Sequence, residues 1–123
     1  MQLLFYSKNS NDNIDQLYTL AESLINHNNL FKCQTIEDVN YSLRHHHMST
    51  TIALLFVANQ DDLLNLLSLQ EIFSYIRLII VLPTRDEELI ALAHRLRPRF
   101  LTFTDENPYD LKDVLKKLLH NEA

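Results

Sequence analysis

Five short apolar runs, each followed by a stretch with helical periodicity, constrain this chain more than any other feature. The runs cover Gln2 to Ser7, Leu30 to Thr35, Thr51 to Ala58, Ile76 to Leu82 and Arg99 to Thr104. Between and after them, helical spacing covers Asn13 to His27, Glu37 to His47, Asp61 to Ser74, Asp86 to Leu96 and Pro108 to His120. Parallel strands need a crossover of a dozen or so residues, usually a helix, so this alternation specifies an α/β domain with a parallel sheet. Strand texture then orders the sheet. The first, third and fourth runs are almost unbroken apolar stretches (Leu3-Leu4-Phe5, Ile52 to Ala58, Leu78 to Leu82), as befits strands covered on both faces. The second alternates Phe31 and Cys33 with Lys32 and Gln34, and the fifth carries Arg99, Thr102 and Thr104, both edge patterns. With right-handed crossovers the expected order is 2-1-3-4-5, a flavodoxin-like (βα)5 doubly wound sheet.

The terminal helices have one apolar stripe each. Ile14, Leu17, Tyr18, Ala21, Leu24 and Ile25 align on the first, and Leu111, Val114, Leu115, Leu118 and Leu119 on the last. Asn107 is a good cap for the last helix, and Pro108 fits a first turn, where its missing N–H is no loss. The 123 residues suit one domain, 1–123. A net charge of −5 and scattered cations, apart from Arg95, Arg97 and Arg99 at one corner, argue against direct nucleic-acid binding. One cysteine, Cys33, allows no internal disulfide, and no run approaches the roughly 20 apolar residues of a membrane helix. With no signal-peptide pattern at its start, the chain is expected to be cytoplasmic.

In an open α/β sheet, ligands sit beyond the C-terminal strand ends where the strand order switches, here between the first and third strands. The loop Ser7 to Asn13 supplies hydroxyl and amide groups there, suited to turns and caps, and superficially to a flavin phosphate. The chain contains no glycine, so neither a dinucleotide fingerprint nor a P-loop can be written in it.

The stretch Ile76 to His120 runs apolar strand, Pro83-Thr84, acidic-started helix, short strand, Asn107-Pro108, helix. It resembles the last third of a response-regulator receiver (CheY-like) domain, and the topology resembles one over the whole chain. A working receiver ends its first strand with an acidic pair that binds Mg²⁺ and its third with a phosphate-accepting Asp; its fourth ends with Thr or Ser and its fifth with Lys. At those places this chain has Ser7-Lys8, Phe56-Val57-Ala58, Thr84 (one residue uncertain beside Pro83) and Phe103. The resemblance therefore implies a degenerate pseudo-receiver lacking the phosphoacceptor Asp, with no catalytic, cofactor or metal residues.

Asp61, Asp62 and Asp105 offer either helix caps or a displaced acidic site. His45-His46-His47 is the one metal-like cluster, but neighbours on a helix point about 100° apart and cannot all reach one ion. The leucines of the third helix exceed one stripe, leaving some for a partner surface. The expected function is phosphorylation-independent protein–protein interaction or regulation in bacterial-type signal transduction, as in two-component systems, without enzymatic activity. The expected partner is a protein, including a second copy in a homodimer. By the resemblance, docking uses the fourth helix–fifth strand–fifth helix face, with Ile90, His94 and Phe103 pointing outward. The alternative is a flavodoxin-like enzyme or carrier binding a phosphorylated ligand such as FMN at the Ser7 to Asn13 loop.

Overall fold

The computed structural model describes residues 2–9, 11–45 and 51–120. Strands β1 (Gln2–Ser7), β2 (Leu30–Cys33), β3 (Thr51–Phe56), β4 (Arg77–Leu82) and β5 (Phe100–Phe103) form one all-parallel sheet in the order β2-β1-β3-β4-β5. The order is the one the strand textures specify, with both polar strands at the edges. Helices α1 (Asp12–Leu24) and α6 (Pro108–His120) cover one face, over Leu3, Phe5, Ile52, Leu54, Phe56, Ile79 and Val81. Helices α2 (Ile36–His45), α3 (Gln60–Leu67), α4 (Gln70–Phe73) and α5 (Glu87–His94) cover the other, over Leu4, Tyr6, Ala53, Leu55, Val57, Leu78, Ile80 and Leu82. Consecutive residues of the central strands thus feed opposite layers, which is why their sequences are apolar without alternation.

The α1 stripe packs as its spacing requires, with Ile14, Leu17 and Ala21 buried and Tyr18, Leu24 and Ile25 against them. Asn11 caps the helix by accepting from the Ile14 N–H at 2.9 Å. Asn107 does the same for α6 through the Tyr109 N–H, also at 2.9 Å. One helical expectation needs correction, since Asp61 to Ser74 is two helices and not one. The N–H groups of Ser68 and Leu69 reach back only three residues, to the carbonyls of Asn65 and Leu66, and the tightened turn ends α3. Restarting the chain as α4 brings Phe73 into the core at 1% exposure. Neither glycine nor proline marks this break in the sequence.

A second consequence of having no glycine is seen after α5. Arg97 takes φ 54°, the left-handed conformation that commonly closes a helix and that glycine adopts without penalty. Its N–H bonds the carbonyl of His94 at 3.0 Å, which recovers part of that penalty.

Candidate functional site

The sheet register aligns the C-terminal ends of four strands: Ser7 pairs with Phe56, Phe56 with Val81, and Val81 with Thr102. Beyond them opens a cleft of about 570 Å³ between the strand ends and the N-terminal turns of α1 and α6. Its inner wall takes Ser7, Phe56, Val57, Ala58, Val81, Pro83, Thr102 and Phe103, and its rim includes Asn9, Asn11, Asn13, Asp105, Glu106 and Asn107. Among the described residues, no Lys or Arg lines it.

Each position singled out by the receiver pattern is now placed. Ser7 is buried at the cleft floor and its hydroxyl donates to the Asn9 carbonyl. Lys8 is exposed and does not line the cleft. The third strand ends in hydrocarbon, Phe56-Val57-Ala58, with the Val57 N–H on the Val81 carbonyl at 3.0 Å. In the loop after β4, Pro83 lines the cleft while Thr84 is exposed, so no hydroxyl from this loop reaches the floor. The buried polar side chain at the β5 end of the cleft is Thr102, one residue before Phe103.

The three candidate aspartates do not converge. Asp61 is exposed on the first turn of α3. Asp62, beside it, is 1% exposed and faces the opposite layer from the α1 and α6 helices. One of its carboxylate oxygens accepts from the Tyr6 hydroxyl at 2.5 Å, the other from the Ala58 N–H at 2.9 Å. Its own N–H donates to the Asn59 side chain at 2.9 Å. Of the three, Asp62 acts as an internal cap: residue three of the helix reaches back past the N-cap Asn59 to the Ala58 N–H and is bolted to β1. Burial, then the hydrogen bond to Asp62, pushes the Tyr6 hydroxyl well above its ordinary pKa of 10.0. This pairing was missed from sequence, although a phenol inside the otherwise apolar run Leu3 to Tyr6 was a signal, since a buried tyrosine hydroxyl requires a partner.

Asp105 lies on the other side, in the loop after β5, paired with Arg85. Arg85 also bonds Glu106 at 2.6 Å and lies over the Phe103 ring, 4.4 Å from its centroid. These contacts tie the β4–α5 loop to the β5–α6 loop at the cleft mouth. Sequence reading missed Arg85 as well, since nothing local to it marks its partners 20 and 21 residues away.

The expected interaction residues divide. His94 is exposed, whereas Ile90 and Phe103 are half-buried and pack against the layer under α2 to α5, so they do not point fully outward. The stripe that turns Leu89 and Ala93 inward draws Ile90 partly with it. On α3, Leu64 is left 46% exposed outside the packed stripe. His45 stacks on Tyr41, ring centroids 4.0 Å apart, with Nδ1 2.8 Å from the Tyr41 carbonyl; His46 and His47 lie outside the described residues. Among the described residues no group of three or more His, Cys, Asp or Glu is placed to hold a metal ion, and no helix is long and apolar enough to cross a membrane. Cys33 is buried, and desolvation pushes its thiol above the ordinary range despite a contact with Ser42.

No family model matches the chain, and no curated protein matches it in sequence. Solved structures do match. A CheY-like response regulator receiver domain protein from Methanospirillum hungatei JF-1 superposes with a TM-score of 0.74 at 14% identity, over 97% of this chain and 93% of that one. A pilus assembly-related protein from Burkholderia pseudomallei K96243 superposes at 0.71, also at 14% identity, over 100% of this chain and 92% of that one. At such identities the likeness establishes the fold and not the chemistry: the chain has the CheY-like receiver fold, a flavodoxin-like five-stranded parallel sheet.

Proposed function

We propose that this protein is a pseudo-receiver, a phosphorylation-independent regulatory module that works by protein–protein contact in bacterial-type signal transduction and has no enzymatic activity of its own. The observation that carries this reading is the composition of the strand ends, where Ser7, Ala58, Pro83 and Phe103 occupy the wall on which receiver chemistry would need carboxylates, a hydroxyl and a lysine. Mg²⁺ requires a compact set of oxygen ligands, and phosphoryl transfer to a receiver requires a carboxylate nucleophile. Asp62 is sealed by Tyr6 and Ala58, and Asp105 is held by Arg85. In place of a two-state pocket there is a packed aromatic, Phe103, and a ligand without differential affinity for two states cannot drive a switch. The partner surface is assigned to the α5–β5–α6 face around His94, Ile90 and Phe103, with Leu64 of α3 as the competing contact.

Incubation with acetyl phosphate and Mg²⁺ should leave the intact mass unchanged, and beryllofluoride should produce no Mg²⁺-dependent spectral shift. A stoichiometric, hydroxylamine-sensitive adduct on any aspartate would overturn the reading. Ile90→Glu should weaken self-association or partner docking with the fold retained by circular dichroism; if association survives while Leu64→Glu abolishes it, the face is α3.

A further inference from the structure

We propose that the cleft at the strand ends binds a small organic cation, an ammonium group carried on an apolar body. The proposal goes beyond the interaction reading, and shares with it only the premise that the cleft performs no phosphoryl chemistry. A concavity of about 570 Å³ at the switch in strand order is the setting in which α/β sheets hold ligands. On the α1 and α6 side of the sheet its wall is apolar, carrying Leu17, Phe56, Val81 and Leu111. A bare metal ion gains nothing from such a wall, whereas a hydrocarbon stem is desolvated by it.

Thr102 gives the second and independent observation. It pairs with Val81 across the sheet, lines the cleft and is 9% exposed. Among the described residues its hydroxyl meets no hydrogen-bond partner, and the little surface it keeps faces the cleft. A hydroxyl placed this deeply ordinarily has a partner, and the cleft is the side from which one can come. Ser7, buried at the same floor, gives its proton to the Asn9 carbonyl and has only acceptor capacity left.

Charge sets the sign of the ligand. The rim holds Asp105 and Glu106, two negative charges that share the single cation Arg85. Lys8 is exposed and outside the lining, and among the described residues no other cation lines the cleft. The N-termini of α1 and α6 each bring about half a positive charge, but Asp12 and Asp15 oppose it on α1 and Asp110 on α6. Free donors are also few. Asn11 and Asn107 spend their side-chain oxygens on helix caps and keep only their NH₂ groups, against acceptors on Ser7, Thr102, Asn9, Asn13 and the two carboxylates. A positive ligand that donates hydrogen bonds satisfies both balances; a phosphorylated one such as FMN satisfies neither. Among the described residues no three His, Cys, Asp or Glu are placed to hold a metal ion, which leaves an organic cation.

Butylammonium, 1-butanol and butyrate test this directly, since they share a short alkyl body and differ in the charge of the head. Titrated into the full chain at matched ionic strength and followed by amide NMR, butylammonium should shift resonances of Ser7, Thr102 and Asp105. 1-Butanol should bind about tenfold more weakly, the order expected of one net attractive charge at short range, and butyrate more weakly still. Thr102→Val keeps the shape and every charge of the cleft, and should weaken butylammonium about fivefold through one lost hydrogen bond. In the double variant Asp105→Asn, Glu106→Gln, both exposed positions, the advantage of butylammonium over 1-butanol should shrink to about twofold or less. Nα-acetyl-lysine methylamide carries the same head on a peptide-like body: binding as tight as butylammonium assigns the cation to a lysine side chain, weaker binding to a free amine, and both support the site. Equal binding of butylammonium and 1-butanol, tighter binding of butyrate, displacement of butylammonium by equimolar Mg²⁺, unchanged affinity in Thr102→Val, or no shifts at the cleft at millimolar concentration would each overturn the proposal. None of these results bears on acetyl phosphate labelling, so the two readings fail separately.

Discussion

Two polar constellations flank the C-terminal edge of the sheet, and they are built on opposite principles. On the α3 side, Tyr6, Asp62 and the Ala58 N–H meet in a site from which water is excluded, joining β1, the end of β3 and the start of α3. On the α5 side, Arg85, Asp105 and Glu106 meet in solvent, with side chains 48%, 66% and 47% exposed. The buried set carries one formal charge satisfied by neutral donors, and removal of the shared acceptor, Asp62, strands both donors without water to replace it. The exposed set carries three charges, each of which water can solvate. The contact with more formal charge is therefore the one that matters less to stability.

The sharpest way to break this comparison is Asp62→Ala. The Tyr6 hydroxyl and the Ala58 N–H would both lose their acceptor inside the protein, and α3 would lose its internal cap. A loss of about 3 kcal/mol is expected from two stranded donors, equivalent to a fall of about 12 °C in Tm for a chain of this length. Chemical denaturation with an unchanged m-value is the check. A loss under about 1 kcal/mol would mean that water replaces the carboxylate and that the site is not sealed.

Tyr6→Phe is the milder change, because it removes a donor and leaves Asp62 still bonded to Ala58. It should cost about 1.5 kcal/mol. Its more specific signature lies in alkaline solution. The folded-state pKa of Tyr6 is raised, by burial first and then by the hydrogen bond to Asp62. Stability from this group is therefore full below its ordinary value of 10.0, and declines as the pH rises above it, because the unfolded chain then gives up a proton that the native state retains. Tyr18, also raised by burial, contributes in the same direction. Denaturation midpoints taken between pH 8 and pH 11 should fall less steeply in Tyr6→Phe than in the parent, and parallel slopes would dissociate Tyr6 from the alkaline loss.

The two constellations also mark how far the sequence could be read. Strand order was legible because burial on two faces leaves runs such as Ile52 to Phe56 without a polar residue, while single-sided edges alternate. The cleft's lining was legible in part, since topology alone assigns Ser7, Ala58 and Phe103 to the strand ends. Contacts between residues distant in sequence were not. Nothing near Asp62 distinguishes it from Asp61, yet one residue of helical rotation separates a solvated acid from a buried one. The α3–α4 break was invisible for a related reason: Ser68 and Leu69 have ordinary helical chemistry, and the turn between them is fixed by the demand of Phe73 for the core. Ile90 and Phe103 were placed outward on resemblance alone, and packing turned both half inward.

The smallest effect is expected at Arg85. Arg85→Gln removes a cation that touches Asp105, Glu106 and the Phe103 ring, three contacts that a simple tally would rank above those of Tyr6. Each involves groups already hydrated in the unfolded chain, so Tm should move by no more than about 2 °C in low salt. The difference between Arg85→Gln and the parent should narrow further in 1 M NaCl, where the screening length falls to about 3 Å. What should change is local: losing the tie between the β4–α5 and β5–α6 loops should speed amide exchange at Thr104 and Asp86, leaving exchange at Ala58 and Asp62 as in the parent. A large, salt-insensitive drop in Tm would instead show that stacking on Phe103, and not ion pairing, holds this side of the edge together, and would make the two constellations alike in kind.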